Sequence, residues 1–345
     1  MIKQKFCHIE TLRGIAILLV VLGHVIGSTS EGGMKVTNDS FFRYLYDLFV
    51  NIRMPLFTVI SGWVYALHPV KSDNISIFLK KKVRRLLFPM IFVGSLYFLL
   101  QYLIPGTNNK MALSNIWEIY IFPYSIYWYL PALFLVFIGI AFCDIKKYMN
   151  TIFGWCIFMI VAYLLCYSEL TGIIPRSVPN YFAFKNALYL SPFFLTGVGI
   201  VRFREKLSSP VMLKIYLAGL IIGIGLQQMN FFYPHLTTFY TKFHLSIIIG
   251  ILSSSFLVNL KLNNRFFIWL AQYAYTIYLY HGFGTSGGRI ILSRIGIQNE
   301  FLIFIFAGCI ATFCPILVEK VCKKWKISSM LFLGTLPRKL PEKSN

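Results

Sequence analysis

Negative charge is what this sequence has least of. Asp and Glu number 12 in 345 residues, against 33 Lys and Arg, and charged residues of both signs together make up 13%. That is about half the share usual in soluble domains. With 57% hydrophobic residues and a mean hydropathy of +0.67, a water-soluble globule is excluded as the main architecture. No Cys-x-x-Cys pair occurs among Cys7, Cys143, Cys156, Cys166, Cys309, Cys314 and Cys322, which removes zinc-ribbon and thioredoxin-like readings; the odd number, in and beside apolar runs, reads as free thiols, and we expect no metal. No small-residue cleavage site follows the first apolar run, so that run reads as a retained helix. Internal repeats and low-complexity tracts are also lacking.

What the chain does have is positive charge and long apolar runs. A net charge of +21 would suggest a nucleic-acid partner in a soluble chain. Here the basic residues fall in short segments between apolar runs, as loops that orient a membrane protein do, and we expect no nucleic acid. Runs able to cross a hydrocarbon core of about 30 Å lie near Leu12–Ser28, Phe42–Leu67, Leu86–Ile104, Trp128–Cys143 and Thr151–Ser168. Five more lie near Phe184–Val201, Val211–Gln228, Lys242–Leu260, Phe266–Ile291 and Glu300–Cys322. The expected fold is all-α: a polytopic transmembrane bundle of about ten helices, one domain over residues 1–325 with a basic tail at 326–345. With the N-terminus in the cytoplasm, 24 of the 33 basic residues fall on that side, so both termini are expected to be cytoplasmic.

Polar groups inside such runs cost several kcal/mol in lipid and are functional candidates until a structural role explains them. Arg13 and His24 are eleven residues apart; at about 100° and 1.5 Å per residue they share one helix face and stand about 16 Å apart along the axis. An anionic head beside Arg13 and a flexible arm reaching the imidazole, a natural general base near neutral pH, would suit that geometry. The alternative is a structural histidine near a helix end, bonded to a backbone carbonyl. A second polar cluster, Asn51, Arg53 and Ser61, surrounds Pro55, which breaks a helical hydrogen-bond ladder; Arg53 paired with Asp47 would be its structural alternative. A third places Lys80, Lys81, Lys82, Arg84 and Arg85 within six positions, attractive to phosphates or simply to anionic lipid heads. Trp128 and His281 complete the set.

In order along the chain, these segments resemble the membrane-bound acyltransferase 3 family. Arg13-x10-His24 is similar to its first-helix motif, Met54-Pro-Leu-Phe-x3-Ser61-Gly62 to its second, Trp128-Tyr-Leu-Pro-Ala to its fourth-helix motif and Tyr278-Leu-Tyr-His281 to a late motif. The resemblance implies transfer of an acyl group, most often acetyl, from acyl-CoA to a hydroxyl of an extracytoplasmic or lipid-linked carbohydrate, at a bacterial cytoplasmic membrane. It also implies His24 and Arg13 as catalytic residues, Arg13, Arg84, Arg85 and Lys82 toward acetyl-CoA, and Glu10, Asn51, Arg53, Ser61, Trp128 and His281 toward the acceptor. The sequence departs from the family pattern at Glu10, where Asp is commoner, at Arg53, where His often precedes Met-Pro-Leu-Phe, and at Lys82, where the first Arg of Arg-x2-Arg is usual. The rival reading is a secondary transporter or glycan exporter, whose path the same intramembrane polar groups would line.

Overall fold

The computed structural model describes residues 6–336 apart from 109, 176, 234, 236 and 237, and excludes the side chains of residues 170, 239 and 240. Every regular element among the described residues is helical. Ten helices are long: α1 (Cys7–Ile26), α2 (Phe41–Leu67), α3 (Phe88–Leu103), α4 (Tyr129–Ile145), α5 (Ile152–Thr171), α6 (Phe184–Arg202), α7 (Pro210–Phe232), α8 (Phe239–Asn259), α9 (Ala274–Arg294) and α10 (Glu300–Cys322). Several begin where a side-chain oxygen meets the orphan amides of a first turn. Ser40 accepts from the Phe42 amide, Thr151 from Gly154, Ser209 from Met212 and Asn299 from Leu302.

Among the described residues, nine segments have the length and hydropathy of membrane spans, and α9 is not one of them. At 21 residues α9 is about 31 Å long, enough to cross. Its hydropathy is diluted by His281, Gly282, Gly284, Thr285, Ser286, Gly287 and Gly288, yet it lies inside the bundle, with its first half buried almost continuously, and so presents little surface to lipid. Together these elements make a polytopic, all-α membrane bundle.

Small residues set the closest helix crossings, as they do where lipid gives helices no hydrophobic reason to associate. A Cβ on Gly62 of α2 would stand 2.0 Å from the Phe194 carbonyl oxygen of α6, and one on Gly197 of α6 would stand 2.0 Å from the Val59 oxygen of α2. Gly284 and Gly288 bring α9 against Ala311 and Ala307 of α10 in the same way. Among the candidate spans, α1, α6 and the segment that ends in α4 are buried most deeply, each with 61% of its apolar window inside the bundle, whereas α5 and α7 have 17%. Of the polar groups on α1, Thr11 is buried, and Glu10, Arg13 and His24 are half-buried.

Two elements differ from the sequence expectation. The run expected near Phe266–Ile291 is two helices, Arg265–Ala271 and α9, separated by a turn at Gln272 and Tyr273. Gly14 allows the α1 backbone to lie on Phe267 of the first piece, and Arg13 donates to the Ala271 carbonyl at 2.9 Å, satisfying an oxygen that the break removes from a continuous helix. The region beyond 325 is not simply an extension, because Lys326–Leu333 is a helix packed on α3 with Leu333 only 2% exposed. Residues 337–345 lie outside the described part.

α1 and α9 run in the same direction. Arg13, Arg85 and Tyr275 mark one end, and His24 and His281 the other. α10 returns to the first end, where the Thr276 hydroxyl donates to the Glu319 carboxylate, having started at the other, where Ser40 donates to Glu300 at 2.8 Å. The described ends of the bundle thus share one face.

Candidate active site

His24 occupies the last turn of α1, half-buried, with its ring turned inward. The ring centroid of His281 lies 5.0 Å away, and His281 itself is fully buried. His281 Nδ1 donates to the Tyr278 carbonyl at 2.8 Å; since a carbonyl only accepts, this bond keeps the proton on Nδ1 and assigns the lone pair of the neutral ring to Nε2. That Nε2 is buried and has no protein partner among the described residues. The carbonyl bond expected of a structural histidine is thus made by His281, whereas the His24 ring meets that of His281 and has no hydrogen bond among the described residues.

Arg53 stands beside this pair. Its guanidinium lies against Gly23, where a Cβ would overlap it, and over the Tyr46 ring at 4.3 Å. The residue is 8% exposed, and its charge acts on both imidazoles. It does not pair with Asp47, whose backbone and side-chain oxygens accept from Gln227 of α7. A cation buried at this depth is expensive without a counter-charge; the Tyr46 face offsets part of that cost. Behind the histidines, Tyr278 donates to the Ile126 carbonyl, and the Tyr129 ring packs 5.6 Å from that of Tyr278. Above them Arg43, 7% exposed, donates to the carbonyls of Gly27 at 2.5 Å and Val36 at 3.3 Å, closing the connection between α1 and α2.

At the opposite end of the α1 stripe the cations gather. Arg13 pairs with Glu10 at 2.7 Å, one helical turn away, and bonds Ala271, leaving its buried Nε without a partner. Arg84 and Arg85 lie in a π-helical turn, Val83–Leu87, inserted between the helix Ile75–Lys82 and α3. Such turns widen a helix by one residue and often occur at functional sites. The Arg85 guanidinium lies over the Tyr275 ring at 4.0 Å, the Tyr275 hydroxyl donates to the Arg85 carbonyl, and the Arg85 charge is felt by Arg13, Arg84 and Glu319. Arg84 Nε is also buried and unpartnered. Gly334, with φ +61°, packs onto the backbone of Arg84 and Arg85, so the segment after α10 braces the turn. Three guanidiniums, two with orphaned buried N–H groups, make a donor set fitted to phosphate oxygens.

The other sequence-selected residues are engaged elsewhere. Lys82 points its ammonium onto the Phe137 and Phe78 rings, 3.2 and 5.2 Å from their centroids, and so is held by an aromatic cage. Asn51 donates to Gln227 at 3.1 Å, on the α7 side of α2. Ser61 returns its proton to the Phe57 carbonyl at 3.0 Å, and Trp128 packs edge-on against Tyr129. Sequence reasoning missed Glu319, a carboxylate 6% exposed that holds Thr276 and Lys323 beside the Arg cluster, although an acid within the last apolar run was a legible signal. It also missed Tyr275, whose role depends on the π turn, and the bidentate Arg202–Asp144 pair at 2.7 Å with Tyr65.

The membrane bundle thus holds a pair of histidines at one end of α1 and a cluster of three guanidiniums at the other. A family model described as an acyltransferase domain matches residues 8–320, nearly the whole chain. The chain belongs to the acyltransferase 3 family, as the order of its motifs led us to expect. No curated protein and no solved structure matches it.

Proposed function

We propose that this membrane acyltransferase takes an acyl group, most directly acetyl, from cytoplasmic acyl-CoA and transfers it to a hydroxyl of an extracytoplasmic or lipid-linked carbohydrate, in a bacterial cytoplasmic membrane. One observation carries the reading: an imidazole without a hydrogen bond among the described residues, turned into the bundle beside His281, stands on the same helical stripe as Arg13, beside which Arg84 and Arg85 gather. The span of about 16 Å between them suits a donor whose phosphates and reactive thioester are separated by a long arm. On this reading the basic face is the cytoplasmic one, consistent with the positive-inside bias.

The nucleotide phosphates would accept from Arg84, Arg85 and Arg13, with Glu10 holding Arg13 in place. At the other end His24 removes the proton from the acceptor hydroxyl as its oxygen attacks the thioester carbonyl; the C–S bond breaks, and the proton passes from His24 to the leaving thiolate. Arg53 and His281 line the region where charge develops on the carbonyl oxygen, Arg53 as its nearest fixed cation. Lys82, held by its aromatic cage, contributes charge near the donor rather than a directed bond. Structural analysis of surface glycan from cells with and without this protein tests the reading. Loss of one O-acyl group supports it and identifies the acceptor, and an unaltered glycan with donor-independent flux in proteoliposomes would favour a transporter instead.

A further inference from the structure

A second cationic site lies on the same face of the bundle, on another side of α1. His8 and Arg13 are five residues apart, which rotates them about 140° from each other around the helix. Where Arg13 faces the 265–271 helix and the π turn, His8 lines a separate cavity of about 380 Å³.

Three positive or protonatable groups from three parts of the chain converge on this cavity: His8 from α1, Arg204 from the short turn after α6, and Lys261 from the connection after α8. Its apolar wall includes Phe6 and Trp63, whose rings meet edge to face at 5.0 Å, and the His8 ring stands 6.0 Å from Trp63. No carboxylate lines it, and neither Arg204 nor Lys261 forms an ion pair among the described residues. Lys261 has φ +52°, a left-handed backbone that side chains with a Cβ seldom adopt. Topology alone requires positive charges on this face, but it does not require three of them around one aromatic-walled hollow with a lysine in an unfavourable backbone conformation. Asn259, whose amide donates to the Ser255 carbonyl at 2.8 Å, also lines the cavity.

We propose that this cavity is a binding site, distinct from the Arg13 cluster, for a phosphate group carried on an apolar or aromatic body. Arg204 and Lys261 supply charge-assisted donors to the phosphate, and Trp63 and Phe6 receive the attached body. Two sources carry that chemistry: a soluble nucleotide and the headgroup of an anionic phospholipid. The proposal does not depend on acyl transfer.

The test uses the full chain in phosphatidylcholine nanodiscs in the Arg13→Ala background, which weakens the other cluster. ADP is titrated by calorimetry, and retention of added phosphatidylglycerol is read by native mass spectrometry. At least one probe should bind, and adding Arg204→Gln and Lys261→Gln should weaken that binding tenfold or more, with Lys261→Arg retaining it. Binding of ADP alone assigns a nucleotide, and binding of phosphatidylglycerol alone assigns a lipid. If neither probe binds, or the glutamine variants bind as the parent does, the proposal is overturned, whatever the outcome for acyl transfer.

Discussion

At the scale of residues, the two adjacent histidines differ by one hydrogen bond. His281 gives its Nδ1 proton to a carbonyl and is fixed as part of the α9 helix; His24, without such a bond, keeps its ring available for proton transfer. The Arg13–His24 stripe was legible because helical periodicity alone puts residues eleven apart on one face. The partner of Arg53 was not: Asp47 is close in sequence, but Gln227 from a distant helix takes it. Arg13→Ala should weaken acyl-CoA binding by about 1.5 to 3 kcal/mol, the usual worth of a hydrogen bond to a charged group, measurable by titration of the reconstituted protein. Lys82→Met should change that affinity far less than Arg85→Met, because the Lys82 ammonium already rests on Phe137 and Phe78. Equal losses for the two would place Lys82 among the donor ligands.

At the scale of elements, glycine marks where helices touch, and the Ser61-Gly62 motif gains a structural explanation from it. Gly62→Ala should lower thermal stability in detergent by about 1 to 3 kcal/mol, the range for overpacking, because the added methyl meets the Phe194 carbonyl at 2.0 Å. Gly94→Ala, where the nearest atom is 3.9 Å away, should be neutral or slightly stabilising through helix propensity. Matching melting temperatures for the two variants would refute the close crossing of α2 and α6. Helix existence was readable from apolar runs and caps, but the turn at Gln272 and Tyr273 was not. No Pro or Gly marks it; the break is compensated by tertiary partners, Gly14 and Arg13, that lie more than 250 residues away.

At the scale of the whole molecule, the number of crossings and the shared face of the two ends follow from α9, which lacks the hydropathy of the nine other candidate spans among the described residues. Its small and polar residues lower its hydropathy because its neighbours are helices, yet the run expected near Phe266–Ile291 found it, merged with the short helix before it. Reporter fusions test the resulting topology: a fluorescent protein placed after Thr335 should mature in the cytoplasm, and alkaline phosphatase inserted at Asp39, between α1 and α2, should be active outside. Activity of a phosphatase fused after Thr335 would place that end outside and overturn the topology. The central claim is separation of function along one stripe, with binding at the cationic end and chemistry at the histidine end. Its most direct test is a paired measurement on purified His24→Ala in nanodiscs: acyl-CoA affinity by titration and acetyl transfer to isolated glycan acceptor from radiolabelled acetyl-CoA. The account predicts wild-type affinity and unchanged melting with transfer reduced to background; transfer at the wild-type rate would contradict it.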